Sequence, residues 1–382
     1  MNTEKKSNLK EVVLLFLKLG FTSFGGPAAH LAILHDEVVK RRKWLDDEQF
    51  LDLVGATNLI PGPNSTEMTI HLSFLRAGWP GFFLGGISFV LPAVLMVLGL
   101  AWSYQRYGTT PQVAWVLYAV KPVVIAFIIK ALWFLGKQAI KEPLMGFAAA
   151  SVFVFNLLGV DTLLLLFSVG LLVMLAKTLG KIKSNPPSLK SFFPLALPPA
   201  ASMLSQAITL PVLFFTFLKI GSVLYGGGYV LLAFLRSDFV VRLGWLSEKQ
   251  LIDAIAVGQV TPGPLFTTAT FIGYILAGVP GALLSTLGIF APSFFFVAIS
   301  NRFIPKMRLS AWFSTFLDGI NAASLGLMAA VTIQLAQAVL VDPGSIILAG
   351  ISLALVVFTR INTTWIILAA IAFGIARYLL GG

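Results

Sequence analysis

The 382-residue chain is 57% hydrophobic and 11% charged, with a mean hydropathy of +0.90. A soluble globular protein carries about 25% charged residues, so that class is excluded. The net charge of +11 does not point to nucleic acid, because the basic residues gather in short loops (40–43, then Lys177, Lys181, Lys183 and Lys190), as the positive-inside rule describes for cytoplasmic loops.

In chain order, residues 1–6 read as a cytosolic tail, since no small-residue cleavage site follows them. An apolar segment, 11–24, contains Lys18 and stops at Gly25-Gly26-Pro27; a short one, 28–34, carries His30. The polar stretch 35–49 holds Trp44, an interface anchor, and Asp46-Asp47-Glu48, a helix-start signal. Segment 50–60, with Asp52, ends at Pro61-Gly62-Pro63, and 64–77 follows with Glu67, His71 and Arg76. None of these four segments reaches the ~20 residues that span a bilayer, so they are predicted to be broken or re-entrant helices lining a cavity or buried in protein. Of the apolar runs that follow, 82–101 reaches spanning length, while 125–134 and 163–176 are shorter and are read as parts of tilted, broken or re-entrant membrane helices. A basic, proline-rich linker over 181–210 has one candidate for an extra crossing, 192–210.

The second half, 211–382, then repeats the first, 1–180. At an offset of 201, Phe16-Leu17-Lys18-Leu19-Gly20 returns as Phe217-Leu218-Lys219-Ile220-Gly221, Trp44 as Trp245, Asp52 as Asp253, and Pro61-Gly62-Pro63 as Pro262-Gly263-Pro264. Gly25-Gly26 meets Gly226-Gly227, followed by Gly228. Beyond one deletion, Ala77-Gly78 and Pro92 match Ala277-Gly278 and Pro292 at an offset of 200. Duplicated hydrophobic units broken by Gly and Pro at matching points are the pattern of secondary transporters, with the substrate at the breaks. The fold class expected is an all-α polytopic membrane protein of two helical repeats. Inverted topology is favoured because loop 102–112 holds one Lys/Arg and loop 302–312 holds three.

The breaks have a chemistry. Proline at the first turn leaves helix-start N–H groups free, here near Asn64, Ser65 and Thr66, and near Leu265, Phe266 and Thr267. Each such end carries about +0.5 of a charge, so four of them, two at glycine motifs and two at Pro-Gly-Pro, sum to roughly +2, the scale of a dianion. Lys18 and Lys219, seven residues before their glycines, either mark an ion path or snorkel to an interface. His30, Glu67, His71 and Arg76 have no charged counterparts in the second half and are candidates for coupling or charge pairing; Arg76 also reads as a loop cation beside Gly78. With no cysteine and three histidines, all in the first half, no metal site, cofactor or catalytic triad is indicated.

The strings Phe24-Gly25-Gly26-Pro27 with His30, Trp44-Leu45, Leu59-Ile60-Pro61-Gly62-Pro63-Asn64-Ser65-Thr66-Glu67, Tyr225-Gly226-Gly227-Gly228, Thr261-Pro262-Gly263-Pro264, Phe271-Ile272-Gly273-Tyr274 and 288–294 resemble the chromate ion transporter family, in its two-domain, long-chain form. The resemblance implies efflux of chromate across a bacterial inner membrane, conferring resistance, with sulfate as its mimic and the halves oppositely oriented. It departs at Gly228, which stands where the first half has Pro27, and at Thr267-Thr268, which replace Asn64-Ser65 as polar groups after the motif. The expectation is a secondary active oxyanion transporter in the lipid bilayer, able to form a homo-oligomer. Its site lies between the repeats, with backbone donors from Gly25, Gly26 and 226–228, hydroxyl and amide donors from Asn64, Ser65, Thr66, Thr267 and Thr268, and charge from Lys18 and Lys219. The rivals are a channel or exchanger for sulfate or another anion, and a membrane-embedded enzyme acting on a lipid-linked substrate.

Overall fold

The computed structural model describes residues 3–182, 207–225, 227–308, 311–359 and 361–380. These residues form an all-α membrane protein with no strand among them. Fourteen helices follow in order: α1 (Thr3–Thr22), α2 (Gly26–His35), α3 (Asp47–Thr57), α4 (Asn64–Tyr107), α5 (Pro111–Ala139), α6 (Pro143–Leu157), α7 (Thr162–Ile182), α8 (Leu210–Val223), α9 (Leu231–Leu235), α10 (Glu248–Val260), α11 (Thr268–Arg308), α12 (Ala311–Val339), α13 (Pro343–Phe358) and α14 (Thr363–Leu379). Four are long and apolar enough to cross a bilayer: 64–107, 111–139, 265–300 and 312–339. The proposed extra crossing, 192–210, lies almost wholly outside the described residues.

The breaks fall where proline and glycine act. Pro63 and Pro264 stand just before the turns that open α4 and precede α11. Both long helices are broken again by glycines of nearly identical geometry, Gly78 (φ 64, ψ −154) and Gly278 (φ 63, ψ −152). That region of the map admits glycine and little else. The segments between breaks, 64–77 and 268–277, are therefore half-length helices, as 64–77 was expected to be.

Polarity is inverted relative to a soluble protein. Leu84, Ile87, Leu91 and Leu95 form an exposed apolar stripe on α4, while Thr66, Glu67, Thr69, His71 and Ser73 are buried. Such an outer face suits lipid, while these polar side chains are turned to the interior. Small residues permit close packing. A Cβ at Gly20 would lie 2.6 Å from the Phe89 carbonyl oxygen, and one at its counterpart Gly221 would lie 2.5 Å from that of Ile289. These contacts hold α1 on α4 and α8 on α11.

The packing crosses between the halves. α4 lies against α11, α5 packs on α13 and α14, and α12 packs on α6 and α7. One buried apolar core accordingly runs through helices of both, from Val120 and Ile128 on α5 to Ile320 and Leu327 on α12.

Candidate functional site

The two Pro-Gly-Pro turns do not sit on their own glycine loops. The Gly263 N–H donates to the Ser23 carbonyl at 2.8 Å, and the Gly62 N–H donates to the Leu224 carbonyl at 2.9 Å. These bonds are equivalent at the 201 offset, so each half's proline turn docks on the loop that ends the other half's first helix. Unwound backbone at membrane depth must find partners, and here it finds them across the molecule. The Ser23 carbonyl also contacts the buried His30 at Nε2, 3.1 Å away, while the His30 Nδ1 is buried without a hydrogen-bond partner.

The first composite site surrounds a small cavity of about 30 Å³ bounded by Gly25, Gly26, Tyr229, Gln259, Thr261 and Gly263. Gly25 is left-handed (φ 103) and caps α2, which starts at Gly26 with its N–H groups unbonded by any earlier turn. Tyr229 lies within side-chain hydrogen-bonding reach of Gln259, whose Nε2 is buried. A helix start and a buried amide donor around one polar cavity form an arrangement suited to an oxyanion.

The second composite site is its counterpart, formed by Pro61-Gly62-Pro63, the loop through Leu224 and Tyr225, and α11. Thr66 and Glu67 N–H both donate to the Pro63 carbonyl at 2.8 and 3.1 Å, so the preceding N–H groups, of Asn64 and Ser65, point off the helix end. A Cβ at Gly62 would strike the Glu67 carboxyl and the Ser293 Oγ, at 2.2 and 2.9 Å. The Thr66 and Ser293 hydroxyls and both Glu67 oxygens are buried with no hydrogen-bond partner.

Other expected site residues lie elsewhere. Lys18 pairs with Glu37 at 3.2 Å and Lys219 with Asp238 at 2.6 Å. Each carboxylate also holds an arginine, Arg41 at 3.5 Å and Arg242 at 2.8 Å, all related by 201 residues. Glu37 additionally accepts from Arg42. These carboxylates sit in or beside matched π-helical turns, Asp36–Arg41 and Arg236–Arg242. Neither lysine lines the first cavity, and the Lys18 side chain is 58% exposed. Arg76, on α4 two residues before the Gly78 break, bonds Glu11 at 2.9 Å and stacks over Trp44 at 5.5 Å. His71 is buried on α4, one turn beyond Glu67. The Thr267 and Thr268 hydroxyls donate to the Pro264 and Leu265 carbonyls at 2.9 and 2.8 Å, and Asn64 Nδ2 donates to Asn58 at 2.6 Å. Gly227 carries a positive φ of 97°, Gly228 opens a short 3-10 turn, and Gly226 lies outside the described residues.

Sequence reasoning missed Tyr229, Gln259 and Ser293, which reveal themselves only once distant segments meet. It also missed a buried ion pair: Lys121 on α5 reaches Asp253 on α10 at 2.6 Å, and the Tyr104 hydroxyl donates to the same carboxylate at 2.8 Å. A lysine within an apolar run and an aspartate before Pro-Gly-Pro were the available signal.

A family model described as "Chromate transporter" matches residues 10–180 and, a second time, 212–375. The chain is 30% identical to a "Chromate transport protein" of Cupriavidus metallidurans over 99% of its own length and 95% of that protein's. It is 32% identical to a "Probable chromate transport protein" of Synechococcus elongatus, with 88% and 86% covered. Against a "Chromate transport protein" of Pseudomonas aeruginosa it is 30% identical, with 95% and 90% covered. No solved structure matches.

Proposed function

The chain belongs to the chromate transporter family in its long-chain form, and we propose that it is a secondary active transporter that exports chromate across a bacterial inner membrane and so confers resistance. The observation that carries this reading is the reciprocal docking of Gly263 on Ser23 and Gly62 on Leu224. It gathers broken-helix starts and unspent polar groups from 1–180 and 211–382 into composite sites instead of leaving them scattered. Helix ends of about +0.5 each favour a small polyanion over a neutral solute. The halves are read as inverted repeats: the Lys/Arg imbalance between residues 102–112 and 302–312 supports this. Export also suits the electrical field, because each negative charge leaving an inside-negative cell gains about 2.3 kcal/mol per 100 mV. Sulfate, a dianion of the same tetrahedral shape, is the expected competitor.

The test is flux of chromate in vesicles holding the purified chain, with sulfate as competitor. Gln259→Leu removes the amide donor of the first cavity and is expected to cut chromate flux at least tenfold at equal membrane content. Vesicles that move sulfate or an organic acid but no chromate would refute the substrate. Undiminished flux through Gln259→Leu would refute the site.

A further inference from the structure

We infer that Glu67 is a proton-binding site that loads as the anion binds, so that chromate crosses the membrane together with one proton. This rests on the transport reading above and adds the coupling ion. Four carboxylates are buried among the described residues: Glu37, Glu67, Asp238 and Asp253. Three of them are held by cations, Glu37 by Lys18, Arg41 and Arg42, Asp238 by Lys219 and Arg242, and Asp253 by Lys121. Glu67 alone of the four has no cation, and neither of its oxygens has a hydrogen-bond partner, although it is 0% exposed. A buried ion kept without a partner is disfavoured, and where one persists at membrane depth it marks a proton or ion path.

Its surroundings agree. Glu67 stands on the first turn of α4, against the Gly62 backbone and the unpartnered Ser293 hydroxyl of α11. Tyr225, from the loop before α9, lies within its electrostatic range, and His71 stands one turn along the same helix. α3 carries Asp52, an acid rather than a counter-ion. On α1, Glu11 is taken up by Arg76 and Lys18 by Glu37, while His30 of α2 contacts the Ser23 carbonyl. No lysine or arginine among these neighbours therefore supplies a fixed positive charge, and His71 is the nearest basic side chain along α4.

The electropositive start of α4 serves one negative group at a time. An ionised Glu67 and an incoming dianion repel one another there, so the anion binds with Glu67 protonated, its O–H then a further donor to the oxyanion. Linkage makes the relation reciprocal: anion binding draws a proton onto Glu67. The arrangement is one-sided. Thr268 stands at the position equivalent to Glu67, and Ala93 at that of Ser293. The dianion and its proton together move one net negative charge per cycle.

The test uses the full chain. Purified wild-type protein, weakly buffered and stepped upward through the alkaline range where chromate is the dianion, is expected to take up about one proton per chromate bound once the pH is high enough to ionise Glu67 in the free protein. In vesicles, the reversal potential should report one charge per chromate. Glu67→Gln keeps the shape and the donor but cannot ionise; whatever its rate, each chromate that it moves is expected to carry two charges, with chromate-driven proton movement per chromate at least tenfold below wild type. Wild-type protein that binds chromate with no proton uptake at any pH in that range overturns the inference, as does Glu67→Gln with proton coupling intact. If Glu67→Gln fails to reach the membrane, the wild-type stoichiometry decides the matter, with Glu67→Asp as the milder variant expected to keep coupling. Absence of any chromate flux in wild-type vesicles would instead refute the transport reading itself.

Discussion

Replacing Lys121 with methionine keeps the length and apolar stem of the side chain but removes the charge held 2.6 Å from Asp253. Asp253 is 0% exposed and Lys121 13%, so solvent screens little of the loss. Breaking a buried pair by deleting one partner costs about 3–5 kcal/mol. Two features bound the value here. Tyr104 continues to donate to the stranded carboxylate at 2.8 Å, a bond to a charged group worth about 1.5–3 kcal/mol, which places the cost at the lower end. Neutralising a carboxylate of ordinary acidity at pH 7 costs about 4 kcal/mol, which caps it. Lys121→Met is thus expected to destabilise the purified protein by about 3 kcal/mol in denaturant titration or thermal unfolding in detergent. Lys121→Met combined with Asp253→Asn should recover most of that loss, because no buried charge then remains. A single variant as stable as wild type, or a double variant whose loss equals the sum of the singles, would refute the reasoning.

Other predictions follow from the same contacts. Gly20→Ala and Gly221→Ala place a methyl against backbone oxygen at 2.6 and 2.5 Å and should each cost about 1–3 kcal/mol of stability, whereas Gly99→Ala, with nothing within 4 Å, should cost little; detergent melting curves decide. Lys219→Gln is expected to impair chromate flux more than Lys18→Gln, since Glu37 keeps two arginines and Asp238 only one; equal loss in vesicle flux would contradict this. The Tyr118 hydroxyl and the Ser345 N–H hold the Asp342 carboxyl below the usual carboxylate range. Its contribution is present above the ordinary aspartate range and disappears as pH falls through the lowered value. Asp342→Asn should therefore melt below wild type at pH 7, with the gap closing in strong acid.

The sequence showed the breaks and hid the pairings. Gly25-Gly26 and both Pro-Gly-Pro motifs end helices through local dihedral limits, which any reader of the chain can apply. The docking of Gly263 on Ser23 depends on contacts 240 residues apart, for which neither period nor propensity carries a signal. The lysines illustrate the middle ground. Lys18 and Lys219 stood out as cations in apolar segments, but their counter-ions lie nineteen residues onward, in turns read only as polar connections. That Glu37 and Asp238 also match at 201 residues was visible, and is the clue that would have paired them. Ser293 stood inside the family string 288–294, but its partner became visible only where Gly62 approaches it.

The crossed packing decides which parts can travel as rigid bodies. Because α5 grips α13 and α14 while α12 grips α6 and α7, the amino- and carboxyl-terminal portions are interlocked and cannot rock past one another. Between them α1 packs on α4, α8 on α11 and α4 on α11, which joins the two broken long helices directly. Asp253 of α10 meets both Lys121 of α5 and Tyr104 of α4, so a single carboxylate ties two amino-terminal helices to the carboxyl-terminal portion.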